Sequence, residues 1–129
     1  MVSSSSSKYL YGAAALVVVG LVAFAATKQA APSPYDAFAQ CLTQNNVKMY
    51  GAWWCSHCKN QKELFGSSFD YVDYIECSTP SRTMNQICQN AKIEGYPTWE
   101  FTDGSRASGE QSLQTLAEKS QCVLPTDSL

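Results

Sequence analysis

The sequence predicts an α/β chain in which a mixed central sheet is flanked by helices and preceded by one apolar N-terminal segment. Three observations carry this expectation. Short aromatic or alternating runs that suit strands are interleaved with runs of helical spacing. Asp103-Gly104 stands between two β-prone runs, a strong hairpin signal. Residues 10–26, LYGAAALVVVGLVAFAA, carry no charge at all.

The apolar run is near the minimum length for a membrane-spanning helix and slightly longer than the core of most signal peptides. Residues 10–27 therefore read as a transmembrane anchor or signal peptide, with Ala23-Phe24-Ala25 as a small-x-small cleavage site for the second reading. An uncleaved anchor is the favoured expectation on length, and the absence of a polar face argues against a buried soluble helix. Lys8 and the α-amino group on one side face Lys28 on the other, so charge orients the segment weakly. Residues 1–9 form the N-terminal stretch, 28–34 a linker, 35–124 one domain and 125–129 a tail.

Within that domain each element has a local reason. Ser33-Pro34 resembles an N-cap followed by proline at the first helical position, and Tyr35, Phe38 and Leu42 then recur at helical spacing up to Asn45-Asn46. VKMYGAWW (47–54) is short, aromatic and β-prone. A helix begins at the following cysteine pair and closes at Gly66. FDYVDYIEC (69–77) alternates as a strand. Residues 83–93 read as a helix with Met84, Ile87, Cys88 and Ala91 on one face. TWEFTDGSRASG forms the hairpin, and residues 112–122 close the domain with Leu113, Leu116 and Ala117 facing inward.

The totals narrow the function. With 129 residues and a net charge of −2 there is room for one domain and no basic stripe, which argues against nucleic-acid binding. Six cysteines is a high and even number for so short a chain. Such density suits an oxidising compartment, which places the N-terminus in the cytoplasm and the cysteine-bearing domain across the membrane.

The chemistry concentrates in GAWWCSHCK (51–59). A strand running into C-x-x-C at a helix start puts Cys55 where the macrodipole and unpaired N–H groups favour a thiolate, and Cys58 one turn in, close enough to close a disulfide. Cys55 is the expected exchanging sulfur and Cys58 the resolving one. His57 between them is expected to tune the thiolate. A zinc site built from Cys55, Cys58, Cys77 and Cys88 lacks the second tight knuckle of a ribbon. Covalent haem needs histidine directly after the second cysteine, where this chain has Lys59. No metal and no bound cofactor is expected, since the Cys55–Cys58 pair is itself the redox group.

WCSHCK after a strand, with GYPT (95–98) 39 residues on from Cys58 to Pro97, resembles the two signatures of thioredoxin-fold oxidoreductases. FAQCL, YVDYIEC and GYPTWEF extend the likeness to the thioredoxin-like domain associated with vitamin K epoxide reductase homologues of bacteria and plastids, over about residues 36–117. The resemblance implies a thioredoxin-like fold and a cis Tyr96-Pro97 bond facing the dithiol, with substrate contacts beside it from Tyr96 and Thr98. Trp54 is expected as a further substrate contact, because a large apolar group next to a reactive cysteine suits unfolded chains. The resemblance also implies protein thiols as substrates, a quinone-linked membrane partner of the vitamin K epoxide reductase type, and a periplasmic or thylakoid-lumen site of action. The chain departs from the family in two ways. One apolar segment stands where the membrane bundle would be, so the electron acceptor must come in trans. Met49 occupies the place where many such enzymes carry a buried acid, so the proton of Cys58 needs water or another group.

Four cysteines remain, with three possible pairings. Cys77 ends a strand and Cys88 lies on the next helix, which favours Cys77–Cys88; Cys41–Cys122 then joins the first and last helices. A redox relay through Cys77–Cys88 is the other use of that pair. The expected function is a membrane-anchored thiol–disulfide oxidoreductase that oxidises exported proteins. The alternatives are a disulfide reductase or isomerase, and a non-catalytic metal- or partner-binding module.

Overall fold

The structure, a computed structural model, describes residues 32–125. The segment expected to span or enter a membrane (10–27) lies outside the described residues, as do residues 1–9, most of the linker and the end of the tail. Among the described residues no helix is long and apolar enough to cross a membrane.

The elements follow in the order α1 (Asp36–Gln44), β1 (Lys48–Gly51), α2 (Ser56–Phe65), a 3-10 helix (Gly66–Tyr71), β2 (Asp73–Glu76), α3 (Gln86–Asn90), β3 (Thr98–Glu100), β4 (Arg106–Ser108) and α4 (Leu113–Ser120). The strands form one sheet in the order β2-β1-β3-β4. β1 runs parallel to β2 and antiparallel to β3, which pairs antiparallel with β4 across the hairpin. A four-stranded mixed sheet with helices packed on it fits a thioredoxin-like fold.

Side chains alternate across β1, so its two faces build two cores. Met49 faces Phe38, Leu42, Phe65, Trp99 and Leu116, all fully buried and drawn from α1, α2, β3 and α4. Phe65 is the hub of that side, stacked on Phe38 at 5.9 Å and tilted against Trp99 at 6.1 Å between ring centroids. Tyr50 faces the other way, toward Cys77, Cys88 and Ile93. Two disulfides tie these layers. Cys41 of α1 is bonded to Cys122 just beyond α4, across 81 positions, and Cys77 after β2 is bonded to Cys88 of α3.

Several elements are shorter than their sequence patterns suggest, each for a local reason. Helix α1 starts at Asp36 because the Asp36 carboxylate is used outside the helix: it accepts from Ser33 N at 3.0 Å and from Ser68 Oγ at 2.7 Å, holding Ser33–Tyr35 as a turn. β1 stops at Gly51, leaving both tryptophans in the turn that follows. The strand expected over 69–77 contracts to Asp73–Glu76. Gly66 adopts φ 56°, the chain coils at once into the 3-10 helix, and Phe69 packs on Phe65 and Tyr74.

The helix expected over 83–93 is confined to Gln86–Asn90. Asn85 caps it by accepting from Cys88 N at 3.1 Å, and Lys92, at φ 54°, follows its end. Cys88 is its one buried residue, whereas Ile87 is 64% exposed and does not lie on the inner face that its spacing suggested. The hairpin and the last helix keep their expected places. Gly104 takes φ 78° at the turn, and Ser112 Oγ caps α4 by accepting from Thr115 N.

Gln61 is a fully buried amide on the inner face of α2. Its Oε1 accepts from Trp99 Nε1 at 3.2 Å and Gln111 N at 2.7 Å, and its Nε2 donates to Gln111 O at 2.9 Å. The helix, the core tryptophan and the segment before α4 thus meet at one side chain. Gln61→Leu leaves two inward-facing N–H groups without an acceptor, so urea unfolding is expected to show a loss of about 2–4 kcal/mol.

Candidate active site

The site is built by the turn between β1 and α2. Cys55 N donates to Ala52 O at 3.0 Å, which closes the turn, and Cys55 itself is extended at φ −79°, ψ 120° as the residue just before α2. Its carbonyl accepts from Lys59 N, the first bond of the helix. The Cys55 sulfur therefore stands half-buried at the positive end of α2, where negative charge is favoured. Cys58 lies one turn in and is 1% exposed. Both are thiols in this structure.

Opposite them lies the loop before β3. Tyr96-Pro97 is cis, and Cys55 Sγ donates to Tyr96 O at 3.7 Å. Pro97 is buried and its carbonyl accepts from Gly109 N at 2.8 Å. Thr98, also buried, turns its hydroxyl inward to Gly95 O at 2.8 Å, bracing the loop. Trp54 meets Tyr96 edge-on at 6.1 Å and is held by Nε1 donating to Ser78 Oγ at 2.7 Å. Trp53 and Trp54 both remain largely exposed, with the Arg82 guanidinium over Trp53. The structure thus gathers Trp54, Cys55, Cys58, Tyr96 and Pro97, with Thr98 beneath them.

His57 is directed elsewhere. Its Nδ1 pairs with Glu110 Oε1 at 2.5 Å, and Asn60 Nδ2 donates to the same oxygen at 3.2 Å. The hydrogen bond from His57 is the main reason that the Glu110 carboxyl titrates below the usual range. That contribution is present above the ordinary carboxylate range and is lost as pH falls through the lowered pKa. Nothing in the local sequence pointed to Glu110, which lies 53 positions from His57. Gln61, Tyr74, Glu76 and Ser78 were equally silent. Their roles depend on strand register and on loops that return to the site, which spacing along the chain does not encode.

The two sulfurs differ in environment. Burial pushes the Cys58 thiol up to about 12, and the hydrogen-bonded Cys55 adds to this; a backbone hydrogen bond from Ala52 and the Lys62 ammonium pull it partly back. Cys58 is thereby kept protonated behind an accessible Cys55. Folding stabilises the neutral thiol, so that contribution is intact below the unfolded thiol's value of 9.0 and disappears as pH rises to about 12. The dithiol form is expected to lose stability across that window in pH-dependent unfolding, whereas the Cys55–Cys58 disulfide form, with no thiol to titrate, does not lose it for this reason.

Among the described residues no group of three or more potential metal ligands occurs. The four-cysteine zinc set is unavailable as thiolates, because Cys77 and Cys88 are bonded to each other. What the fold and the site define is a thioredoxin-like domain carrying a C-x-x-C dithiol beside a cis-proline loop.

No protein-family model matches the chain. It is 44% identical over 92 residues to a protein named thiol-disulfide oxidoreductase LTO1 from Arabidopsis thaliana, a match covering 67% of this chain and 24% of the relative. The chain thus spans about a quarter of that relative's length.

Proposed function

We propose that this chain is an enzyme, a thiol–disulfide oxidoreductase working through Cys55 and Cys58, and that it oxidises the thiols of exported proteins. One observation carries the reading. An accessible sulfur at a helix N-terminus is backed by a buried protonated thiol and lies 3.7 Å from the carbonyl before a cis-proline. The name of the Arabidopsis relative supports the same chemistry.

In this cycle a substrate thiolate attacks Cys55 Sγ of the Cys55–Cys58 disulfide. Cys58 leaves with the electron pair and takes a proton. A second substrate thiolate then attacks the substrate sulfur of the mixed disulfide, and Cys55 leaves as the thiolate. Two substrate thiols become a disulfide, and the enzyme is left as a dithiol. Trp54 and Tyr96 offer aromatic surface to the substrate chain beside the reacting sulfur.

Reoxidation falls to a membrane partner of the vitamin K epoxide reductase type that passes the two electrons to a quinone. The 10–27 segment anchors the chain, with the domain on the periplasmic or thylakoid-lumen side. Cys58→Ala should trap both substrate and partner as mixed disulfides on Cys55, identifiable after native expression by non-reducing electrophoresis and mass spectrometry. Recovering no adducts overturns the exchange reading. A reduction potential below that of thioredoxin would instead assign the chain to reduction.

A further inference from the structure

Cys58 is buried and held as the thiol, yet it must lose its proton each time it closes the disulfide with Cys55. On the sheet beneath it β1 offers Met49, which cannot take a proton. Its register partner on β2 is Tyr74, and the next pair on the same face is Gly51 with Glu76. Gly51 has no side chain, and Cys58 Sγ and the Tyr74 phenol both border the space this leaves. A Cβ at Gly51 would lie 3.0 Å from Cys58 Sγ and 3.1 Å from Tyr74 Oη. Tyr74 Oη donates to Glu76 Oε2 at 2.7 Å. Glu76 is itself fixed, its Oε1 accepting from Ser78 N at 2.8 Å and Trp53 N at 3.2 Å.

The geometry points to Tyr74 as the proton-transfer group of Cys58, with Glu76 as the terminal acceptor that opens to solvent. This inference rests on the oxidoreductase reading and deepens it. As Cys58 Sγ forms its bond to Cys55 Sγ in a mixed disulfide, the partner sulfur leaves with the electron pair. The Cys58 proton passes to Tyr74 Oη, the Tyr74 proton passes to Glu76 Oε2, and half-buried Glu76 releases it to water. The reverse movement protonates Cys58 when the disulfide is opened.

The phenol begins and ends neutral. That agrees with its surroundings, since burial, Glu76 and the two cysteines all oppose ionisation of the Tyr74 phenol. The titratable and charged groups facing this path are Cys55 and Lys62 from α2, Tyr74 and Glu76 from β2, and Tyr96 from the loop before β3. Lys62 Nζ lies 3.6 Å from the Tyr74 ring centroid and favours negative charge there. Forming the mixed disulfide neutralises Cys55, which removes its opposition to deprotonation of Cys58.

The test uses the full chain with Cys55 and Cys58 reduced, mixed with dithionitrobenzoate in a stopped-flow instrument. The first thionitrobenzoate release is bimolecular and reads attack by Cys55. The second is unimolecular and reads closure by Cys58. Tyr74→Phe is expected to slow the second phase about tenfold or more at neutral pH and to move its pH profile upward, with the first phase changed less than about twofold. Glu76→Gln should shift the same profile in the same direction. Unchanged second phases in both variants, or equal slowing of both phases, overturn the inference. A wild-type chain with no second phase overturns the oxidoreductase reading, and this inference with it.

Discussion

A Cys55→Ser variant is expected to lose disulfide exchange by on the order of 10³-fold or more, measured as oxidation of a reduced unfolded substrate. The hydroxyl keeps the size and the place before α2 but supplies neither a sulfur to attack nor a leaving thiolate. Because Cys55 is half-buried and its sulfur makes only weak hydrogen bonds, to Tyr96 O at 3.7 Å and with Cys58, the fold should barely register the change. Unfolding should therefore stay close to that of the reduced wild type while turnover disappears. A variant that retained exchange would place the reactive sulfur elsewhere. A partner-binding module without catalysis would keep its affinity.

The largest stability effect is expected from Cys41→Ala combined with Cys122→Ala. The bond closes a loop of 81 positions, and restricting an unfolded chain on that scale corresponds to about 4–5 kcal/mol. Cys77–Cys88, across 11 positions, corresponds to about 3 kcal/mol on the same argument. Cys122 is also packed into the main core, so the double substitution leaves a small void. A domain this small holds about 5–15 kcal/mol in all. The melting temperature of the double variant should fall by about 15–30 °C. A fall of only a few degrees would show that the first and last helices are held by packing alone.

Periodicity and turn chemistry made most of the fold legible. Phe38 and Leu42 share the inner face of α1, the dithiol opens α2, and Asp103-Gly104 turns the hairpin. Boundaries were less legible where a side chain outside the pattern intervened. Asp36 spends its carboxylate on Ser33 and Ser68, and Asn85 starts α3 three residues after the pattern begins. Ile87 shows the limit of spacing on a short helix. With only Gln86–Asn90 wound, the face carrying Cys88 is inward and Ile87 turns to solvent.

The site divides in the same way. Cys55, Cys58 and Pro97 announce themselves because thiol chemistry at a helix start and a proline after an aromatic are local features. Glu110 reaches His57, Gln61 reaches Trp99, and Tyr74 approaches Cys58 only after the sheet has aligned Met49 with Tyr74. Pair contacts of this sort live in the register of strands, and the register is set by every burial in the core at once.

On the proposed function the chain handles client disulfides while carrying two of its own. Cys77 and Cys88 are wholly enclosed and Cys122 nearly so, while Cys41 is half-buried, so an incoming thiolate is shut out of the Cys77–Cys88 bond and from the Cys122 side of the other. The enclosure that fills the core would thus also shield most of these sulfurs during the proposed exchange. Loosening α3 or the end of α4 should then be read out as scrambling before it is read out as unfolding: wrongly paired monomers would accumulate during turnover while the resting protein still melted as one unit.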